Sequence, residues 1–175
     1  MRDRAQLTRA RPPQKSFTVE RTEIVQPELN RFLYTAVGGD WYWTGRLPWT
    51  YERWRAWLDR IEVETWVARS GGSPAGYFEL EQQDGGDVEV AYFGLMPQFI
   101  GQGLGGFLLT VAIARAWELP ATRRVWVHTC SLDHPSALAN YQARGFEIFS
   151  IETDVAELPE TPPGPWPGAA RPRPE

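Results

Sequence analysis

Val88-Glu-Val-Ala-Tyr-Phe-Gly-Leu-Met-Pro-Gln98-Phe-Ile-Gly101-Gln-Gly103-Leu-Gly105-Gly106 sets a strand-like run directly against a glycine-dense turn, with an apolar segment of helical spacing behind it. Such a turn brings several backbone N–H groups close to an anion, and the helix that follows adds the positive end of its dipole. The chemistry suits a pyrophosphate. The string alone is ambiguous, because Gly101, Gly103 and Gly106 also satisfy the dinucleotide pattern G-x-G-x-x-G, a weak signal when isolated.

Context narrows the choice. Three strand-like runs, Glu64 to Arg69, Ala75 to Glu81 and Val88 to Leu95, are separated by Gly71-Gly72-Ser73-Pro74 and Asp84-Gly85-Gly86-Asp87. Connections this short make hairpins, whereas parallel neighbours need a long crossover. The turn therefore follows an antiparallel meander, while a dinucleotide fold opens with its glycines in a run of parallel βαβ units. Asp133 stands where a ribose-binding acid would, so the dinucleotide reading remains as a minor alternative, together with a purely structural glycine-rich helix start.

Further outward the periodicity changes in order. Ser16 to Ile24 reads as a strand; Leu29, Phe32, Leu33 and Ala36, and then Trp54, Trp57, Leu58 and Ile61, recur at helical spacing. Gly103 to Leu119 predicts a long apolar helix with Leu104, Phe107, Leu108 and Val111 on one face and Pro120 past its end. Arg123 to Cys130 reads as a strand, His134 to Arg144 as a short helix stopped by Gly145, and Phe146 to Asp154 as a last strand. The order β-αα-βββ-α-β-α-β predicts an α/β domain over residues 16–158, with a mixed, mostly antiparallel sheet flanked by helices. Residues 1–15, with Pro12-Pro13, and 159–175, with Pro162, Pro163, Pro165, Pro167, Pro172 and Pro174, are expected to be a disordered arm and a disordered tail. Trp166 is the one tail residue with the size to dock back.

Composition excludes several function classes. A net charge of −4 disfavours a phosphate-backbone binder, so nucleic acid is not expected as a partner. No apolar run approaches the roughly 18 residues a membrane span needs, and no membrane partner is expected. Cys130 is the sole cysteine, which rules out an internal disulfide and a thiolate-rich metal site and fits a reducing compartment. The cytoplasm is the expected location, with an organelle transit segment built on Arg2, Arg4, Arg9 and Arg11 as the minor alternative. With two histidines in the chain no metal site is expected.

The run from Val88 to Gly106 resembles motif A of the GNAT superfamily of acyl-CoA N-acyltransferases, whose turn reads Gln/Arg-x-x-Gly-x-Gly/Ala; Gln98, Gly101 and Gly103 match it position by position. A second stretch, His134-Pro-Ser-Ala-Leu-Ala-Asn-Tyr141-Gln-Ala-Arg-Gly145-Phe146, is similar to the family's motif B, a short helix carrying a tyrosine and ending at a Gly-Phe pair. The resemblance is clear over Val88 to Phe149, architectural from Ser16 to Glu81, and absent at the ends. One departure is His134, which stands seven residues before the tyrosine, where the family commonly has asparagine.

What the resemblance implies is transfer of an acetyl group from acetyl-CoA to a primary amine by direct attack within a ternary complex. The alternative is a non-catalytic acyl-CoA-binding or sensing module. The implied cofactor-binding positions are the backbone of Phe93, Gly94 and Leu95, the turn residues Gln98, Gly101, Gln102, Gly103, Leu104 and Gly105, and His134 in place of the asparagine. Gly94 would ease a strand bulge, or else simply allow close packing.

A lysine-like amine is protonated at neutral pH, so a base is required. Glu89, on the strand leading to the turn, is the first candidate; Glu79, Glu81 and His128 are the alternatives. Tyr141 is the expected proton donor to the departing thiolate. Cys130, at the end of an apolar strand, reads as a small buried residue rather than an acyl carrier. The aromatic loop from Gly38 to Trp49 is where the family shapes its acceptor site, and Asp40, Trp41 and Trp43 are candidates for contact with a small-molecule or peptide amine, with packing as the competing explanation. A homodimer stays open.

Overall fold

Alternation and turn chemistry place the strands. The computed structural model describes residues 1–169, so Pro172 and Pro174 of the expected tail lie outside the described residues. Strand β1 (Thr18–Arg21) precedes helices α1 (Pro27–Gly38) and α2 (Tyr51–Leu58); β2 (Val63–Ser70), β3 (Ser73–Gln82) and β4 (Asp87–Leu95) follow, then helix α3 (Leu104–Ala116), β5 (Arg124–Trp126) and helix α4 (Ala137–Ala143). The sheet runs β1-β2-β3-β4-β5. Its first three pairings are antiparallel and the last, β4 with β5, is parallel. The parallel step is the one that needs a long crossover, and α3 supplies it.

Both faces of the sheet are covered, which is why β3 is buried continuously from Ala75 to Leu80. Phe78 and Leu80 pack with Leu108, Leu109, Ala112 and Ile113 of α3. On the other face Tyr77 and Val67 meet Leu33 and Val37 of α1. Glu79 shares that second face with Tyr77, so a carboxylate is buried in the layer between β3 and the α1–α2 region.

The buried stripe of α1 is Asn30, Leu33, Tyr34 and Val37, so Phe32, expected inside, is exposed. Tyr34 takes the place, its hydroxyl accepting from the backbone N–H of Arg46 at 3.1 Å while its ring packs on Trp54. In α2, Trp54 and Leu58 are buried as the spacing predicts, but the helix stops at Leu58 and Ile61 projects into solvent.

The last strand expected over Phe146 to Asp154 does not form. Ile148, Phe149, Ile151 and Val155 are exposed. The outer edge of β5 is taken elsewhere: the Met1 amine donates to Val125 O, and Val125 N–H donates to Met1 O, both at 2.9 Å. The N-terminal segment continues along the domain, with Thr8 N–H donating to Arg144 O and Ala10 N–H to Thr110 Oγ1. Residues 1–10 thus lie against the fold rather than extending from it. In the tail, Gly164 N–H donates to Gly39 O at 3.0 Å, whereas Trp166 is exposed.

Candidate active site

The site exists because two neighbouring strands part company. The β4–β5 ladder ends at Glu89 and Trp126, and beyond it β4 continues to Leu95 while β5 stops. A cavity of about 690 Å³ fills the opening and runs from the glycine turn to the loop between α1 and α2. Its floor is β4 from Val90 to Leu95, and its far wall comes from His128 to Tyr141.

Strand β4 bends where it starts to line the cavity. Tyr92 pairs with Glu79 and Val90 with Leu80, which leaves Ala91 as the extra residue of a bulge. The bulge expected at Gly94 therefore sits three positions earlier by numbering. Gly94 has the other role: a Cβ there would meet Val37 Cγ1 at 2.5 Å, so the glycine lets α1 press against the strand.

Of the residues expected to hold coenzyme A, Phe93, Gly94, Leu95, Gly101, Gly103, Gly105 and His134 line the cavity; Gln98, Gln102 and Leu104 do not. Gln102 turns its side-chain amide back onto Gln98 O at 2.7 Å, and Leu104 is buried in the core as the first residue of α3. Gly101 and Gly103 have φ of +79° and +74°, with open space around the position of a Cβ, so glycine is required there by backbone conformation rather than by crowding. Gly103 caps α3, and the turn presents its backbone at the helix N-terminus.

The titratable groups divide into those facing the cavity and those behind it. Glu89 is buried and both of its oxygens are engaged: Oε1 with His128 Nδ1 at 2.6 Å, and Oε2 with Gln83 Nε2 at 2.8 Å. Gln83 is itself fixed by Trp126 Nε1 at 3.1 Å. His128 lines the cavity, just past the end of β5, and Glu89 does not. The hydrogen bond to Glu89 raises the His128 pKa above its ordinary value; burial opposes this, and the charges of Glu89 and Asp133 add to it.

Glu79 and Glu81 are committed elsewhere. Glu79 forms a two-pronged pair with the Arg46 guanidinium at 2.8 and 3.1 Å and accepts from Trp57 Nε1 at 2.8 Å. Glu81 pairs with Arg60 at 2.7 Å. Burial acts to lower the Arg46 pKa, but the charge and hydrogen bonds of Glu79 outweigh it, so the guanidinium is held charged.

Tyr141 lies on α4 with its ring between Phe93 and Phe146, 6.1 Å from each, and it borders the cavity. Its pKa is raised, first by burial and then by the negative charge of Asp133. It remains a neutral phenol, able to donate, across the whole physiological range. His134 accepts from Ser136 N–H at its Nδ1, and its ring packs edge-on against Trp41 at 5.0 Å. Cys130, expected buried, is exposed and lines the cavity, because β5 ends before reaching it.

A family model described as the acetyltransferase (GNAT) family matches residues 30–146. The chain belongs to the GNAT acetyltransferase family. Among solved structures, an aminoglycoside acetyltransferase from an uncultured soil metagenomic sample, in complex with trehalose, is 15% identical with a TM-score of 0.65, covering 82% of this chain and 97% of its own. A GNAT-family acetyltransferase from Streptococcus pneumoniae is 24% identical with a TM-score of 0.58, covering 83% of this chain and 99% of its own. The IAA acetyltransferase from Bacillus cereus is also 24% identical, with a TM-score of 0.59, covering 77% and 79%. Among curated proteins none matches. These likenesses agree on the mixed sheet with its flanking helices. Among the described residues no helix is long and apolar enough to cross a membrane, and no group of three His, Cys, Asp or Glu side chains is placed to hold a metal ion.

Sequence reasoning missed Ala91 as the bulge, because a single extra residue leaves no mark on a short apolar run. It also passed over Tyr34, Tyr92 and Asn140 as cavity residues. Asn140 adjoins Tyr141, but helical spacing alone does not say which of two adjacent residues turns toward an opening.

Proposed function

We propose that this protein transfers an acetyl group from acetyl-CoA to a small primary amine, by direct attack of the amine on the thioester. The observation that carries this reading is the single cavity joining the Gly101–Gly103 turn to His128 and Tyr141. A solved aminoglycoside N-acetyltransferase with CoA, 17% identical with a TM-score of 0.59, supports it as a relative by fold. The residues present fit the cosubstrate: positive-φ glycines at a helix N-terminus suit its pyrophosphate, and β4 beyond the end of its ladder offers backbone groups to its amide-bearing arm.

His128 takes the proton. Its Nδ1–H donates to Glu89, which leaves the Nε2 lone pair for the ammonium of the acceptor. Glu89 acts through His128, orienting the ring and stabilising its protonated form. The amine nitrogen then bonds to the carbonyl carbon, the carbon–sulfur bond breaks, and the Tyr141 hydroxyl gives its proton to the sulfur. His128 passes the first proton to solvent before the attack, then takes the nitrogen's remaining excess proton, and solvent returns a proton to the phenol, so that one proton is released per turnover.

Release of free thiol from acetyl-CoA, followed with a panel of primary amines and with mass detection of the amide, tests the reaction. Thiol release without amide, or acetyl-CoA binding with neither product, would exclude it. Two further outcomes are expected. In Gly103→Val the turn cannot hold its positive φ without strain of about 1–2 kcal/mol, so acetyl-CoA affinity should fall roughly 5- to 30-fold by calorimetry while the fold survives. An unchanged affinity would remove the turn from the binding site.

The second outcome concerns pH. Because Glu89 raises the His128 pKa, the acidic limb of kcat/KM should lie above the ordinary histidine value. Glu89→Gln should move that limb toward lower pH, since the amide no longer favours the imidazolium. A limb that stays in place would show that His128 is not the base.

A further inference from the structure

The acceptor end of the cavity is walled by rings that brace one another. Tyr34, Trp43 and Tyr92 are mutually packed, with ring centres 5.5 Å apart for Tyr34 and Trp43, 5.3 Å for Tyr34 and Tyr92, and 5.0 Å for Trp43 and Tyr92. Trp43 lies so close over Gly38 that a Cβ there would collide with its indole. The loop carrying Trp43 is pinned by Arg46, whose guanidinium is bound to Glu79 underneath. This wall is set before any ligand arrives, and it presents aromatic surface.

Charge along the same cavity is sparse. Among the described residues lining it, Asp133 is the one carboxylate, and its Oδ2 already accepts from Thr129 Oγ1 at 2.7 Å and Cys130 N–H at 3.1 Å. One ring of the wall already holds a cation: Arg46 stacks 4.2 Å from the Tyr92 ring centre, and behind the wall it lies 4.6 Å from each of Trp49 and Trp57. An acceptor bearing several ammonium groups would therefore bring more charge than one carboxylate can balance, and burying the excess is costly. An acceptor with one ammonium and a flat apolar body meets the lining at both ends: its nitrogen at His128, its body against Trp43 and Tyr92.

Resting on the acetyl-transfer reading above, we propose that the acceptor is a monoamine carried on an aromatic or flat apolar body, rather than a polyamine or a multiply charged amino sugar. Burial of one ring against a preformed wall should favour 2-phenylethylamine over ethylamine by about 10- to 100-fold.

The experiment measures both kcat/KM by thiol release and affinity for CoA-loaded protein by calorimetry, for 2-phenylethylamine, ethylamine and neamine. The expected result is 2-phenylethylamine ahead of both others in the two measurements, with its advantage over ethylamine collapsing toward unity in Trp43→Ala. Neamine equal to or better than 2-phenylethylamine in affinity would overturn the proposal, and so would an aromatic advantage below about threefold. If the affinity order holds but no amine is acetylated, the class assignment stands and acetyl transfer falls. Should Trp43→Ala fail to fold, the wild-type order decides by itself.

Discussion

Tyr141→Phe is expected to lower kcat by about 100- to 10,000-fold while leaving acetyl-CoA affinity nearly unchanged, the range typical for loss of a positioned acid. The substitution removes a hydroxyl and keeps the ring, and it is the ring that packs between Phe93 and Phe146. Among the described residues that hydroxyl has no hydrogen-bond partner, so no protein group is orphaned by its removal. Stability should change little for the same reason. Single-turnover kinetics checks the assignment, because it isolates the chemical step from product release. A wild-type rate there would mean that the thiolate leaves unprotonated or takes its proton through water, and His134, on the same wall, would be the next residue to test.

Glu79→Gln is expected to cost about 3–5 kcal/mol in unfolding free energy, the usual penalty for removing one partner of a buried ion pair. Its side chain is 1% exposed and that of Arg46 is 6% exposed. The glutamine can still accept from Trp57, but it leaves a guanidinium without a counter-charge among aromatic rings. Urea unfolding measures the loss. The double variant Arg46→Met with Glu79→Leu should recover most of it, since replacing both charges by apolar groups of similar volume is often neutral or stabilising. A loss below about 1 kcal/mol in the single variant would mean that water reaches the pair and screens it.

The comparison of these two residues shows what a sequence can disclose. The place of Tyr141 beside the cavity was legible because its helix, its glycine stop and the turn before α3 form two patterns in a fixed order. The antiparallel meander was equally legible, since short glycine connections admit no other pairing of their strands. Glu79 was not, because a glutamate in an apolar strand looks the same whether it faces solvent or an arginine brought from another element. Sequence ranked Glu89 ahead of His128 because the strand position is visible, whereas the contact between them joins β4 to a segment beyond β5 that is distant along the chain. The final strand failed for a related reason: an alternating apolar run states that pairing is feasible, and only the fold decides whether an edge is available. Here Met1 holds that edge at Val125.

The parting of β4 and β5 has a consequence for solubility. A strand with unpaired N–H and C=O groups invites another chain to add to it and seed aggregation. In this fold the unpaired stretch of β4 is recessed, with the α1–α2 loop on one side and α4 on the other, and Trp41 of that loop touches His134 just ahead of the helix. A slender extended ligand can still reach the strand, but a second sheet cannot lie flat against it. The open edge of β4 is thus approached through the cavity and not across a flat face.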